Sequence, residues 1–210
     1  MQRRGFLACS AAALLPTPSL SAASADRTFR ILRDGDDIGT HILTAMTTSR
    51  GFEIEITIRI AVKFLGITAY RYEMDNREVW QGGQLVQLDS TVNDDGTTDF
   101  ARIRRDGEKL MVEGSGYTGE VPTDAVTTTY YTKEFIKRRP WLSTQSGLPL
   151  SIEITPDGAD AFRVTGQLET RLEYDDRGEW VSCQFDAGGE PARYEITDES
   201  GRIAELWASA

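Results

Sequence analysis

The chain has 210 residues, of which 40% are hydrophobic and 27% charged, a balance that fits a globular protein rather than a disordered chain or a membrane bundle. Its formal net charge of −10 repels phosphate backbones and anionic headgroups, which argues against nucleic-acid binding. With Cys9 and Cys183 as the two cysteines and His41 as the one histidine, the inventory is too poor for a structural zinc, haem or iron–sulfur site, so neither a metal nor a cofactor is expected.

The chain opens with Met1-Gln2-Arg3-Arg4-Gly5-Phe6-Leu7 and an apolar stretch through Leu15. A basic head, a modest apolar segment and a small-residue exit are the parts of an export signal. The exit Ala23-Ser24-Ala25 is an A-x-A site, which places cleavage after Ala25 and makes 1–25 the signal and 26–210 one domain. The arginine pair followed by Phe6-Leu7 resembles the twin-arginine signal of bacteria; that resemblance implies a periplasmic destination and folding before transport. An ordinary secretory signal carrying two arginines is the competing reading. A lipoprotein signal ending at Cys9 is disfavoured, because only four residues separate Arg4 from Cys9. Removing residues 1–25 takes the charge from −10 to −12 and takes Cys9 with it, so no disulfide can form within 26–210. No apolar run reaches the roughly 18 residues that a transmembrane helix needs.

From residue 26 onward the dominant pattern has period two. Phe52, Ile54, Ile56, Ile58, Ile60, Val62 and Phe64 alternate with Glu53, Glu55, Thr57, Arg59 and Lys63, and the same parity resumes at Tyr70, Tyr72 and Met74. That is a strand with one face in a core and one in water. A single strand over 52–74 would span roughly 75 Å at about 3.3 Å per residue, so a bend is predicted at Lys63–Gly66. His41 falls in a first hairpin, as a hydrogen-bonded strand histidine. A second alternating stretch runs from Phe162 to Tyr174. Shorter strands are predicted at 29–32, 85–92, 100–104, 110–112, 151–155, 180–185, 194–197 and 203–207. Asp34-Gly35, Gly82-Gly83, Asp95-Gly96, Asp106-Gly107, Asp157-Gly158, Gly188-Gly189 and Ser200-Gly201 supply hairpin turns between them. One helix is predicted over Lys133–Arg139, stopped by Pro140. The fold class is therefore all-β: about ten antiparallel strands in a curved sheet or incomplete barrel, with one short helix.

The motifs that could carry chemistry are weak. Gly114-Ser115-Gly116-Tyr117-Thr118-Gly119 spells the dinucleotide fingerprint, but no helix follows it, so a flexible glycine-rich loop is the better reading. Asp34-Gly35-Asp36-Asp37 begins like a calcium loop, yet Ile38 and Ala45 stand where oxygen ligands belong. Cys183 alternates with Val181 and Phe185 and so points into the core. An aromatic and basic group, Tyr130, Tyr131, Phe135, Lys137, Arg138, Arg139 and Trp141, is either a docking spot or a helix packed on the sheet.

Several segments resemble a family of uncharacterised bacterial exported proteins, a domain of unknown function of about this length. They are Val62-Lys63-Phe64-Leu65-Gly66, Tyr70-Arg71-Tyr72 through Glu78-Val79-Trp80, Tyr130-Tyr131 through Gly147, and Gly166-Gln167-Leu168 with Tyr174 through Val181. More distantly, the pattern is similar to the open β-barrels of periplasmic lipoprotein carriers, which implies a hydrophobic cavity under a partial helical cover. Three functions stay open. A binding module would hold a lipid or another amphiphilic small molecule in a cavity lined by the 52–64, Tyr70/Tyr72 and 162–174 faces, with Tyr70, Tyr72, Trp80, Tyr130, Tyr131 and Trp141 as candidate contacts. An envelope protein that binds a protein partner would have a filled core and an exposed aromatic patch around Trp80, Trp141 or Trp207. An enzyme would need convergent carboxylates and tyrosines.

Overall fold

The computed structural model describes residues 23–64 and 67–209. The arginine pair, Cys9, most of the expected signal, most of the expected bend and the Phe64 side chain lie outside the described residues. The first eight strands form an unbroken antiparallel meander. They are β1 (Ser24–Arg33), β2 (Asp36–Thr48), β3 (Gly51–Phe64), β4 (Ile67–Gln81), β5 (Gln84–Asp94), β6 (Thr97–Asp106), β7 (Lys109–Gly114) and β8 (Thr118–Pro122). A connector follows, holding β9 (Val126–Thr127), a 3-10 helix (Lys133–Lys137), β10 (Trp141–Leu142) and β11 (Pro149–Leu150). A second meander comprises β12 (Ile152–Pro156), β13 (Ala161–Gly166), β14 (Thr170–Tyr174), β15 (Trp180–Asp186) and β16 (Pro191–Ser200), and the helix α1 (Ile203–Ala208) ends the described chain.

Pairing of β16 with β1 joins the two meanders into one 13-stranded sheet whose edges are β12 and β8. The sheet curls without closing. Both edge strands are short and end in proline, Pro156 and Pro122, which cannot donate to a further strand. Two-residue turns set the register; Asp34 and Gly35, at φ 48° and 87°, take the paired left-handed conformation that a tight hairpin requires.

The connector runs from one edge to the other, and its Tyr131 and Phe135 pack in the core against Phe52 and Trp80. Several hydrogen bonds tie it to the sheet. The Arg138 Nη1 donates to the Gly83 carbonyl at 2.6 Å, the Gly116 amide to the Ser146 carbonyl at 2.9 Å, and the Lys133 amide to the Gly178 carbonyl at 3.0 Å. Its own small sheet has β10 at the centre, parallel to β9 and antiparallel to β11.

Glu179 docks α1. Its carboxylate, fully buried, accepts from the Ile203 and Ala204 amides at 3.0 and 2.9 Å and lies 3.6 Å from the buried Arg27. That places Trp207 at the centre of an aromatic cluster with Phe52, Trp80, Tyr131 and Phe135, every centroid 5.1–5.7 Å from its own. We call this the sealed end.

Several local expectations are corrected. The strand predicted at 203–207 is α1, because Ile203 and Trp207 share a helical face buried against the sheet. Ser200-Gly201 therefore leads into a helix rather than a hairpin. The predicted 133–139 helix is the five-residue 3-10 helix. The 162–174 strand is two strands, broken at Gly166, where φ is 108° and a Cβ would stand 2.5 Å from the Ser151 carbonyl. The Gly114–Gly119 stretch is the β7–β8 hairpin, with β8 where a loop was predicted. His41 is a strand residue, as predicted, but it is buried and neither ring nitrogen has the predicted hydrogen-bond partner among the described residues; Phe29, Trp180 and Tyr194 surround it, and burial lowers its pKa to about 3.

Candidate functional site: an apolar cavity at the open end

Along β3 one row of apolar side chains faces the concavity. Phe52, Ile54 and Ile56 are 0%, 0% and 2% exposed, whereas Ile58, Ile60 and Val62 are only partly covered. Phe52 belongs to the aromatic cluster, and Ile54 and Ile56 are buried in the same core. The last three, with Tyr70, Tyr72 and Met74 from β4, line an open cavity of about 720 Å³. Leu150, Leu168 and Phe185 extend its apolar wall, and Arg33 and Asp186 stand among its lining residues.

A polar strip crosses this wall. It consists of Thr128 with Ser143, Thr144 and Gln145, from the turn between β10 and β11. The Thr144 amide donates to the Thr128 hydroxyl at 3.0 Å, and Gln145 Nε2 donates to Asp99 at 3.1 Å. The glycines of the false fingerprint make the strip possible. A Cβ at Gly114 would sit 2.2 Å from the Ser146 carbonyl, so only glycine lets the turn press against β7.

The Tyr70 hydroxyl donates to Asp94 at 2.7 Å, and the Tyr72 hydroxyl points at the Met74 sulfur, 3.6 Å away. Burial, and then the Asp94 carboxylate, push both phenols above their ordinary range, so both stay neutral. Tyr130, at a φ of 35°, stacks over Trp141 at 6.2 Å, meets Trp180 edge-on at 5.0 Å, and also lines the cavity. Cys183 is buried beneath this region, 3.0 Å from the Thr170 hydroxyl; burial pushes its thiol up to about 11, which leaves it an un-ionised apolar side chain.

The structure therefore brings together three of the six candidate residues, Tyr70, Tyr72 and Tyr130. The other three belong elsewhere. Trp80, Tyr131 and Trp141 are at most 1% exposed and lie outside the cavity lining. Trp80 and Trp141 use their indole N–H on Glu78 at 2.9 Å and on the Phe135 carbonyl at 3.0 Å. The basic side chains beside them are structural ties: Arg138 binds Gly83, and Arg139 Nη1 donates to the Ile136 carbonyl at 3.0 Å.

A family model described as a domain of unknown function, DUF6134, matches residues 29–197. The chain belongs to that family. Among solved structures, this DUF6134 chain is similar to the crystal structure of a β-barrel-like protein of domain of unknown function DUF1849 from Brucella abortus. The TM-score is 0.56 at 9% identity, covering 84% of this chain and 97% of that one, a likeness of fold alone. No curated protein matches.

Sequence reasoning missed Tyr194 and Phe185 of the cavity in this DUF6134 chain, and its polar strip. Tyr194 and Phe185 carried a legible signal, since both sit in predicted strands. Thr128, Ser143 and Gln145 carried none, because only the contact of one loop with another brings them in. Among the described residues no helix is long and apolar enough to cross a membrane, and no group of three His, Cys, Asp or Glu is placed to hold a metal ion.

Proposed function

We propose that the protein is an exported, periplasmic binding module that holds one apolar or amphiphilic small molecule, such as a lipid chain, in the cavity at the open end of its sheet. The observation that carries this reading is the change along β3: the same alternation that is roofed at Phe52 is left unroofed at Ile60. An unroofed apolar wall in water costs solvation free energy, and a ligand chain recovers it at about 25 cal/mol per Å² of apolar surface covered. The volume falls in the range of about 300–1,000 Å³ common for small-molecule sites. Neutral phenols, the hydroxyl and amide strip, Arg33 and Asp186 supply polar contacts for a headgroup. Export is supported by the arginine pair and the small-residue exit before the domain.

The partner-binding reading expects an exposed aromatic patch around Trp80, Trp141 or Trp207, and these are 1%, 0% and 6% exposed. The enzyme reading expects convergent acids, and among the described residues the cavity lining carries one carboxylate, Asp186.

Native mass spectrometry of the protein purified from its own periplasm tests the proposal. An adduct that organic extraction releases as a lipid or another amphiphile supports it. A bare mass, with added fatty acids and lysophospholipids also failing to bind, contradicts it.

A further inference from the structure

Resting on the export reading, we propose that the processing protease cuts between Ala23 and Ser24, so that the mature chain begins at Ser24 rather than at Asp26. Two small-residue exits overlap in this stretch. Ala23-Ser24-Ala25 puts the cut after Ala25, and Ser21-Ala22-Ala23 puts it after Ala23; both satisfy the small-x-small requirement. The fold separates them.

The bond from Ala25 to Asp26 lies inside β1, an interior strand of the sheet. On one side Ser24, Ala25 and Asp26 pair with Met46, Ala45 and Thr44 of β2, and on the other Asp26 pairs with Ser200 of β16. The Ala25 side chain is fully buried in the main core. Gly201, at the turn into α1, packs so closely that a Cβ there would stand 2.8 Å from the Ser24 carbonyl and 3.1 Å from the Ala25 Cβ. A protease reads an extended segment through its backbone groups, and at Ala25–Asp26 those groups are already engaged in the ladder. Reaching them requires peeling β1 from both neighbours and lifting α1 from its seat. A chain that crosses the membrane folded presents this bond only by such opening.

The bond from Ala23 to Ser24 lies at the margin. Ala23 precedes β1, Ala23 and Ser24 are both exposed, and among the described residues the Ala23 carbonyl is held by a terminal hydrogen bond from the Thr47 amide at 3.1 Å. Strand ends fray at little cost. Hydrolysis adds the hydroxyl of water to the Ala23 carbonyl and its proton to the Ser24 nitrogen. The product keeps Ala25 in the core and the α1 contact with it intact.

The test is the intact mass and N-terminal sequence of the wild-type protein from the periplasm, together with Ser21→Phe. The expected result is a chain starting at Ser24, and accumulation of uncut precursor in Ser21→Phe, since that change spoils the site ending at Ala23 and leaves the site ending at Ala25 untouched. A start at Asp26, with Ser21→Phe processed normally, overturns this inference and leaves export standing. A chain found uncut and in the cytoplasm overturns both.

Discussion

The two ends of β3 carry the same pattern and meet different fates. At one end Phe52 packs against Tyr131 of the connector and Trp207 of α1, with Ile54 and Ile56 buried beside it; at the other Ile58, Ile60 and Val62 face an open cavity. Alternation says which side chains point inward, because the pleat has period two. It says nothing about what lies opposite them. The roof is supplied by Tyr131, Phe135 and Trp207, residues 79 to 155 positions further along the chain than Phe52. The two ends of one pattern therefore differ in how fully they are packed.

The sharpest way to break this comparison is to truncate a side chain at the sealed end. Trp80→Ala removes a ring that touches Phe135 and Trp207 and strips Glu78 of a donor. We expect a loss of about 3–5 kcal/mol in urea unfolding. Next comes Glu179→Ala, which leaves Arg27 without its buried carboxylate and α1 without its anchor. A similar loss of about 3–5 kcal/mol is expected, with a red shift of tryptophan emission as Trp207 meets water. A normal emission spectrum in that variant would show that α1 is held by something else.

A pH experiment sharpens the same region. Burial raises the folded pKa of Glu78 from 4.5 to about 7, outweighing the hydrogen bonds from Asn76 and Trp80. Between those values the folded chain keeps a proton that the unfolded chain has released. This contribution is therefore full below pH 4.5 and lost as pH rises through 7. His41 acts in the opposite sense. Burial lowers its pKa from 6.5 to about 3, so its contribution is full above pH 6.5 and lost as pH falls through 3. From pH 4.5 to 6.5 the two oppose each other in the wild type. Replacing Glu78 by Gln removes one, and the stability of the wild type relative to that variant should drop by about 3 kcal/mol from pH 4.5 to pH 7. A constant difference across this range would place the Glu78 titration elsewhere.

The smallest effect belongs to the open end. Ile60→Ala should cost less than about 1 kcal/mol, since Ile60 is only partly covered. A loss as large as that of Trp80→Ala would mean that the two ends are equally packed.

Much of this architecture was legible in the residues. The 52–64 alternation marks β3, and the Asp-Gly and Gly-Gly pairs mark most of the hairpins. What stayed hidden depends on contacts distant in sequence. Gly166 splits one apparent strand because the Ser151 backbone crosses it. Ile203, Leu206 and Trp207 have helical spacing, but a five-residue window reads equally well as a strand. At the site, Tyr70 and Tyr72 follow from the parity of β4, and so does Trp80. Whether an inward aromatic lines a cavity or fills a core is decided by the connector, whose path is written in tie points such as Arg138 to Gly83 rather than in any periodicity.

The most direct test of the central claim is a fluorescence titration of N-phenyl-1-naphthylamine into the delipidated protein, its Ile60→Trp variant and its Ile54→Val variant. Ile60→Trp fills the cavity, while Ile54→Val trims the sealed core. The account predicts saturable one-to-one binding in the wild type and in Ile54→Val, and at least a tenfold weakening in Ile60→Trp with an unchanged melting temperature. Equal binding in all three, or none in the wild type, would contradict it.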